Sequence, residues 1–170
     1  MEILVVISFF IYIVYNLISL YTLGIPHSLS NTYYLWNGVK QGAGYAFCVC
    51  LGLMVALLLP SWLEMSGGSP WQFLSFLTCG SLLFVAAAPN FKSIGIESTI
   101  HTVAAICAAV FGMLWTIFIV KCRWIVLLVG LLILGYSLQT KTLRKCYVYW
   151  LETIAFLSIY FSIFFTYFIN

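Results

Sequence analysis

Charged side chains are what this sequence has least of. They make up 6% of its 170 residues, with no aspartate, four glutamates and two histidines. A soluble domain carries about 25% charged residues, which keep its surface in water. So few charges exclude a water-soluble globular domain and indicate an integral membrane protein.

Basic residues are also few, and the seven lysines and arginines are scattered over short loops. Nucleic-acid binding needs a basic stripe or patch, so we expect no nucleic-acid partner. Six cysteines are present, four of them inside apolar segments, where cysteine packs as a small hydrophobic residue. They predict no disulfide framework, and no cofactor is expected.

Long apolar runs make up most of the chain. Hydrophobic residues account for 64% of it, and the mean hydropathy is +1.12. About 20 apolar residues cross a bilayer as a helix, and continuous apolar runs do not suit the strands of a barrel. The sequence therefore predicts an all-α fold, a polytopic bundle of six transmembrane helices that forms one domain over residues 1–170. The predicted spans are 3–22, 41–60, 71–88, 98–120, 124–139 and 148–169.

The distribution of lysine and arginine predicts the orientation of these spans. The first, third and fifth loops carry five of the seven basic residues, and basic loops tend to stay in the cytoplasm. Both termini are therefore predicted outside the cytoplasm, in a bacterial inner membrane, and the first span is expected to be retained because no basic signal region precedes it. We expect membrane lipids as partners, with a homo-oligomer as an alternative. The five basic residues are Lys40, Lys92, Lys141, Arg144 and Lys145.

Three of the predicted spans carry regular small or polar stripes. In the second and fourth, small residues recur every fourth position, which lets helices approach closely in lipid. In the sixth, hydroxyl groups follow Glu152 and either line a water path or bond the preceding turn. The small residues are Gly44, Cys48, Gly52 and Ala56, then Ala104, Ala108 and Gly112, and the hydroxyls are Ser158, Ser162 and Thr166.

Polar groups gather on one side of the membrane, in the loops after the first and third spans. Glu97 and His101 are four residues apart and share one helix face, and Glu152 begins the sixth span on the same side. An ionisable group inside a membrane segment is costly and marks a functional site. The sequence therefore predicts a polar pocket at this face. Its residues are Glu97, His101, Glu152, His27, Lys92, Ser28, Ser30, Tyr33, Tyr34 and Asn90.

These residue types fit more than one chemistry. Imidazole and carboxylate groups bind zinc, iron or manganese, but the E-x-x-x-H spacing is neither HExxH nor HxxxH, so no metal is predicted. A carboxylate beside an imidazole is suited to exchanging protons near neutral pH. In the structural alternative, Glu97 caps the start of a helix with Lys92 neutralising it, and His101 bonds a loop carbonyl.

The polar loops carry two motifs that resemble known proteins. The motifs are Pro26-His27-Ser28-Leu29-Ser30 with Tyr33-Tyr34, and Ala88-Pro89-x-Phe91-Lys92 with Glu97 and His101-x-x-Ala104. They resemble a set of small uncharacterised six-span bacterial membrane proteins and, more distantly, the DRAM/Frag-type six-helix family. The resemblance implies the six-helix fold and no particular reaction. The chain is also similar in helix size to seven-span hydrolases of the alkaline ceramidase type, but it lacks the third histidine and the aspartate of their zinc site.

The sequence is compatible with four functions. We expect a polar pocket that binds a lipid headgroup, an ion or a proton, and the alternatives are a small oligomeric channel or transporter, a membrane-embedded lipid-modifying enzyme, and an accessory subunit. The enzyme would use Glu97 or His101 as a general base with Ser28 or Ser30 as partner, and it requires a cavity open to the bilayer. An accessory subunit would instead show an exposed polar patch without a cavity.

Overall fold

The computed structural model describes residues 2–120, 135 and 146–168, and every regular element within them is an α-helix. The all-α fold predicted from the sequence is confirmed for this part of the chain. In chain order the helices are α1 (Glu2–Leu23), α2 (Thr32–Val39), α3 (Tyr45–Met65), α4 (Phe73–Ala87), α5 (Ile96–Ile119) and α6 (Tyr147–Phe168).

Four of these helices, α1, α3, α5 and α6, are long and apolar enough to cross a membrane. They match the first, second, fourth and sixth predicted spans and identify a helical membrane protein. Helix α4, at the third predicted span, has 15 residues. It extends about 22 Å, short of the roughly 30 Å hydrocarbon core. Apart from residue 135, the predicted span over 124–139 lies outside the described residues, and the flanking residues Val120 and Cys146 lie at opposite ends of the bundle.

Among the described helices, five form a ring. Helix α1 packs on α3, α3 on α4, α4 on α5 and α5 on α6, and α6 returns to α1. The short helix α2 lies beside α1 and α3. We call the end of the ring that carries residues 24–44 and 88–95 the loop end, and the end that carries residues 66–72 the far end. Helix α6 begins at the loop end, so α5 and α6 run parallel.

Aromatic rings and one buried hydroxyl hold α6 against α1. The ring of Phe9 lies 5.1 Å from that of Tyr160 and 5.2 Å, edge-on, from that of Phe164, distances typical of aromatic pairs. The Ser8 hydroxyl donates to the Met54 carbonyl of α3 at 3.1 Å and accepts from the Tyr160 hydroxyl at 2.7 Å. Since helices in lipid gain little from hydrophobicity, this packing and these hydrogen bonds fix α6 in the ring.

The small residues of α5 face the interior, as their spacing predicts. Ala104, Ala108 and Gly112 are buried. A Cβ added to Gly112 would lie 3.3 Å from side-chain carbons of both Thr78 on α4 and Ile159 on α6. The absence of a side chain at this position therefore lets three helices meet closely.

On α3, the predicted small face is not the buried one. Gly52 has open space around it, and Ala56 is exposed. The prediction was wrong for these two positions, because the middle of α3 packs through large side chains that point into the ring. The buried residues of α3 are Phe47, Leu51, Met54, Val55, Leu58, Ser61 and Trp62.

A stacked tryptophan pair closes the far end. The rings of Trp62 and Trp115 lie 4.4 Å apart and nearly parallel, at 9°, and both residues are fully buried. Trp115 Nε1 donates to the Ser66 hydroxyl at 2.7 Å, and that hydroxyl donates to the Trp62 carbonyl at 2.6 Å. These contacts join α3 to α5 although α4 lies between them in the ring.

The short helix α2 was not predicted from the sequence, and it covers the start of α3. The Asn37 side-chain oxygen accepts from the N–H groups of Gly42 and Gly44, each at 3.0 Å. A Cβ on Gly44 would collide with the Tyr33 carbonyl oxygen and with the Asn37 side chain. Glycine at position 44 therefore lets α2 lie directly against α3.

Candidate functional site

The loop between α1 and α2 binds the first turns of α6. The Tyr149 N–H donates to the His27 carbonyl at 3.0 Å, and the Leu29 N–H donates to Glu152 Oε2 at 2.6 Å. The first N–H groups of a helix have no partner within the helix and are free for such contacts. The loop is thereby fixed over the start of α6, with the Glu152 carboxylate beside it.

His101 is hydrogen-bonded through both ring nitrogens. It is 4% exposed, and its Nδ1 lies 2.6 Å from the Ala88 carbonyl oxygen while its Nε2 lies 3.0 Å from the Ser30 hydroxyl oxygen. Because a carbonyl oxygen only accepts, Nδ1 carries a proton. In the neutral imidazole Nε2 is then the acceptor, and the Ser30 hydroxyl donates to it. The ring of Phe91 stacks on the imidazole at 4.9 Å.

A cavity of about 110 Å³ lies inside the helix ring, next to Ser30 and Glu152. For comparison, an engineered apolar cavity of about 150 Å³ holds a benzene molecule. Ser30 and Glu152 line the cavity at the loop end, and the rest of its wall is mostly apolar. The space therefore suits a small apolar group with a polar group attached. Apolar lining residues include Phe47, Leu51, Met54, Leu82, Val85 and Phe156.

The cavity reaches the outer surface of the ring between α5 and α6. Ala109 lines the cavity and is exposed, and Ala105 and Ala155 line it and are half-buried. These methyl side chains leave room between the two helices within a few turns of the polar end. Both α5 and α6 are apolar helices of membrane-spanning length, so a gap between them suits access from a hydrocarbon layer.

Three residues of α1 that carry polar groups also line the cavity and were not predicted from the sequence, namely Tyr12, Tyr15 and Asn16. Asn16 Oδ1 accepts from the Tyr149 hydroxyl at 3.3 Å, and its Nδ2 donates to the Tyr12 carbonyl at 2.9 Å. The Tyr15 hydroxyl is hydrogen-bonded to the Thr32 hydroxyl at 2.5 Å. Asn16 is identifiable from the sequence, because an amide within an apolar span needs hydrogen-bond partners inside the protein.

Glu97 binds the loop that precedes α5 and does not line the cavity. Its Oε1 accepts from the Asn90 N–H at 3.2 Å, and its Oε2 accepts from the Asn90 side-chain amide at 3.4 Å. His101, one turn later, bonds Ala88 and Ser30. The two residues share a helix face but hold different parts of the loop end. Glu97 therefore ties the preceding loop to α5 but does not cap the helix, which has no side-chain cap, so the alternative role predicted for it is found only in part.

Lys92 and Tyr34 join the two loops at the protein surface. The Lys92 N–H donates to the Tyr34 hydroxyl at 2.8 Å, and the Lys92 ammonium lies 4.7 Å from the centre of the Tyr34 ring. A cation over an aromatic face at this distance is attracted to it. Lys92 is exposed, and its charge is placed on Tyr34 and not in the cavity.

The remaining predicted site residues, His27, Ser28 and Tyr33, shape the loop and do not line the cavity. The Ser28 hydroxyl oxygen accepts from the Asn31 N–H at 3.0 Å, a local turn. Tyr33 is buried with its ring edge-on to that of Tyr45 at 5.7 Å. His27 contributes its carbonyl to α6 while its side chain is exposed.

The hydroxyl stripe of α6 bonds within its own helix. The Ser162 hydroxyl donates to the Ser158 carbonyl at 2.7 Å, and the Thr166 hydroxyl donates to the Ser162 carbonyl at 2.9 Å. These bonds to the preceding turn agree with the predicted alternative to a water path. None of the three residues lines the cavity.

Within the described residues, no three His, Cys, Asp or Glu side chains lie close enough together to hold a metal ion. Neither a protein-family model, nor a curated protein, nor a solved structure matches the chain. The resemblance to the six-helix family therefore stays a prediction.

Proposed function

We propose that the chain is an integral membrane protein of six transmembrane helices whose cavity binds the polar end of a lipid-like amphiphile. The observation that carries the proposal is a carboxylate and a hydroxyl, from Glu152 and Ser30, at one end of a mostly apolar cavity. Small-molecule sites commonly combine apolar walls with a few polar groups that fix the orientation of the ligand.

The position of the opening supports access from the bilayer. The hydrocarbon chain of the ligand passes between α5 and α6, beside Ala109 and Ala155, and its polar group lies at Glu152 and Ser30. Glu152 is five residues into α6, about 8 Å from the start of the helix. This depth supports a polar end of the cavity close to the boundary between headgroups and hydrocarbon, where the polar end of a membrane lipid lies.

We further propose that the loop end faces the cytoplasm of a bacterial inner membrane and that both termini lie outside. Support comes from the five basic residues of the first, third and fifth loops. Two of them, Lys40 and Lys92, are described and exposed at the loop end. The crossing over 124–139 is part of this proposal, because Val120 and Cys146 lie at opposite ends of the bundle.

Three probes with the same alkyl chain test the binding site. Decylamine, decanol and decanoate are added to the purified protein in detergent, and native mass spectrometry counts the bound probe. At mildly alkaline pH decanoate and the Glu152 side chain carry a negative charge, while decylamine, like lysine, keeps its proton. Two unit charges about 5 Å apart interact by roughly 3 kcal/mol at an effective dielectric constant of about 20. We therefore expect decylamine to bind at least tenfold more tightly than decanoate.

Matched glutamate variants show whether Glu152 causes this preference. Glu152→Gln is expected to bring the amine-to-carboxylate ratio close to one. Glu64→Gln is the control, because Glu64 is exposed at the far end, where its carboxylate accepts from the Tyr167 hydroxyl at 3.1 Å. Equal binding of the three probes by the wild type, or an unchanged preference in Glu152→Gln, would contradict the proposal.

A further inference from the structure

Ser30 and His101 form a buried hydroxyl–imidazole pair. The two residues are 5% and 4% exposed, and 3.0 Å separates the Ser30 hydroxyl oxygen from His101 Nε2. The other ring nitrogen is held by the Ala88 carbonyl at 2.6 Å. A nucleophile bonded to a base that a third group orients is the arrangement that activates a hydroxyl for attack. Here a backbone carbonyl is the orienting group.

The Ala88 carbonyl also decides which nitrogen can act as a base. Since Nδ1 must donate to it, the lone pair of the neutral ring is on Nε2 and points to Ser30. The stacked ring of Phe91, 4.9 Å away, limits rotation of the imidazole. His101 is thus held in the tautomer and orientation that accept the Ser30 proton.

Three hydroxyl side chains lie in the loop and at the first residue of α2, and of these residues only Ser30 lines the cavity. The Ser28 hydroxyl is turned to the Asn31 N–H, and the Thr32 hydroxyl donates to the Leu29 carbonyl at 2.5 Å. A bond between Ser30 and His101 that served only to hold the loop would not need to border open space. The position of Ser30 is therefore suited to contact with a ligand.

We propose that Ser30 is the nucleophile and His101 the general base of an acyl-ester hydrolase acting on a lipid ester. This inference rests on the proposed function, because the acyl chain of the ester occupies the cavity and leaves it between α5 and α6. The ester carbonyl lies at Ser30, where the polar end of the cavity begins.

The reaction needs the ester and water as its reactants. The Ser30 oxygen attacks the ester carbonyl carbon, and its proton passes to His101 Nε2. The bond to the alcohol oxygen then breaks, and His101 returns the proton to that oxygen. Water attacks the resulting acyl-Ser30 ester and gives a proton to His101, the carboxylic acid leaves, and the Ser30 oxygen takes the proton back.

Glu152 acts as a positioning residue in this scheme. Its carboxylate accepts the Leu29 N–H at 2.6 Å and so fixes the backbone one residue before the nucleophile. The same contact ties the nucleophile-bearing loop to α6, while the bond to His101 ties it to α5. Ser30 is therefore held at the loop end of the gap through which the acyl chain enters.

An alkyl fluorophosphonate tests the inference on the full chain in detergent. This probe bonds an activated serine oxygen through phosphorus and releases fluoride, and peptide mass spectrometry locates the label. We expect labelling of wild-type Ser30, together with hydrolysis of a long-chain p-nitrophenyl ester. Both are lost in Ser30→Ala. Because general-base catalysis contributes about 10²-fold or more, labelling in His101→Gln is expected to be at least a hundredfold slower.

Ser93→Ala is the matched control, because Ser93 is an exposed hydroxyl at the loop end that donates to the Asn90 carbonyl at 2.6 Å. It should label and hydrolyse as the wild type does. Decylamine binding by His101→Gln and Ser93→Ala, whose residues do not line the cavity, reports separately on the fold and the cavity. A wild-type protein that binds decylamine but is not labelled at Ser30 overturns the hydrolase inference and leaves the proposed function standing. Labelling at Ser30 without any head-group preference instead contradicts the proposed function.

Discussion

Filling the cavity from α6 tests whether a ligand uses this space. Ala155 lies one turn after Glu152 and lines the cavity, so Ala155→Leu places three more carbons there. At about 0.8 kcal/mol for each buried carbon, the contacts contribute at most about 2.4 kcal/mol. The ordered leucine loses about 0.5 to 1 kcal/mol of side-chain entropy, and Ala155 is half-buried. We therefore expect a gain of about 1 kcal/mol in the free energy of unfolding.

Two measurements on purified protein follow from the same substitution. Equilibrium unfolding in detergent should show the increase in stability, and native mass spectrometry should show decylamine binding weakened at least tenfold, because leucine takes up much of the 110 Å³ that the ligand needs. Ala46→Leu is the control. Ala46 is exposed on α3 and does not line the cavity, so both quantities should stay at their wild-type values.

Two results would refute this reasoning. Unchanged decylamine binding in Ala155→Leu would show that the probe binds elsewhere. A loss of about 1–3 kcal/mol in the free energy of unfolding, the range typical of an overpacked interior, would show that the space beside Ala155 is already filled.

Two further substitutions test the packing that positions the site. Gly44→Ala should lower the free energy of unfolding by about 3 kcal/mol, because its Cβ would collide with the Tyr33 carbonyl oxygen; Gly52→Ala, with open space around it, should show no loss in the same titration. Trp115→Phe should cost about 2 kcal/mol through lost packing and the lost hydrogen bond to Ser66. A double-mutant cycle with Ser66→Ala should assign about 1 kcal/mol of that cost to the bond, and a coupling of zero would contradict the hydrogen-bond contribution.

The helices could be predicted from the sequence because span length and hydropathy are local properties. The runs that became α1 and α5 have no competing structure in a bilayer, where backbone groups must be satisfied within the segment. Helix α2 could not be predicted in this way. Its eight residues include Asn37 and Gly38 and are too short to register as a span. The position of α2 depends on contacts with the start of α3. Gly44, which the sequence pattern places in a stripe of small residues, leaves the space that these contacts need.

The site could be predicted only as far as the side of the membrane on which its residues lie. Alternating spans bring the loops after the first and third spans together, but they do not determine which side chain meets which. Ser30 and His101 are 71 residues apart in the chain, and Leu29 and Glu152 are 123 apart. Their pairing depends on the path of one loop. Glu97 and His101, four residues apart, share a helix face, but a shared face does not give them a shared partner.

Glu152 combines a charge and a hydrogen-bond acceptor, and the two contributions can be separated. The Leu29 N–H needs an acceptor at the Glu152 side chain, and the amide oxygen of glutamine supplies one without the charge. In Glu152→Gln the loop therefore keeps its anchor and Ser30 keeps its place beside His101. A loss of head-group preference in this variant then reports on the missing charge and not on a displaced loop. Fluorophosphonate labelling of Ser30 should persist in the same protein, since the nucleophile and its base are unchanged.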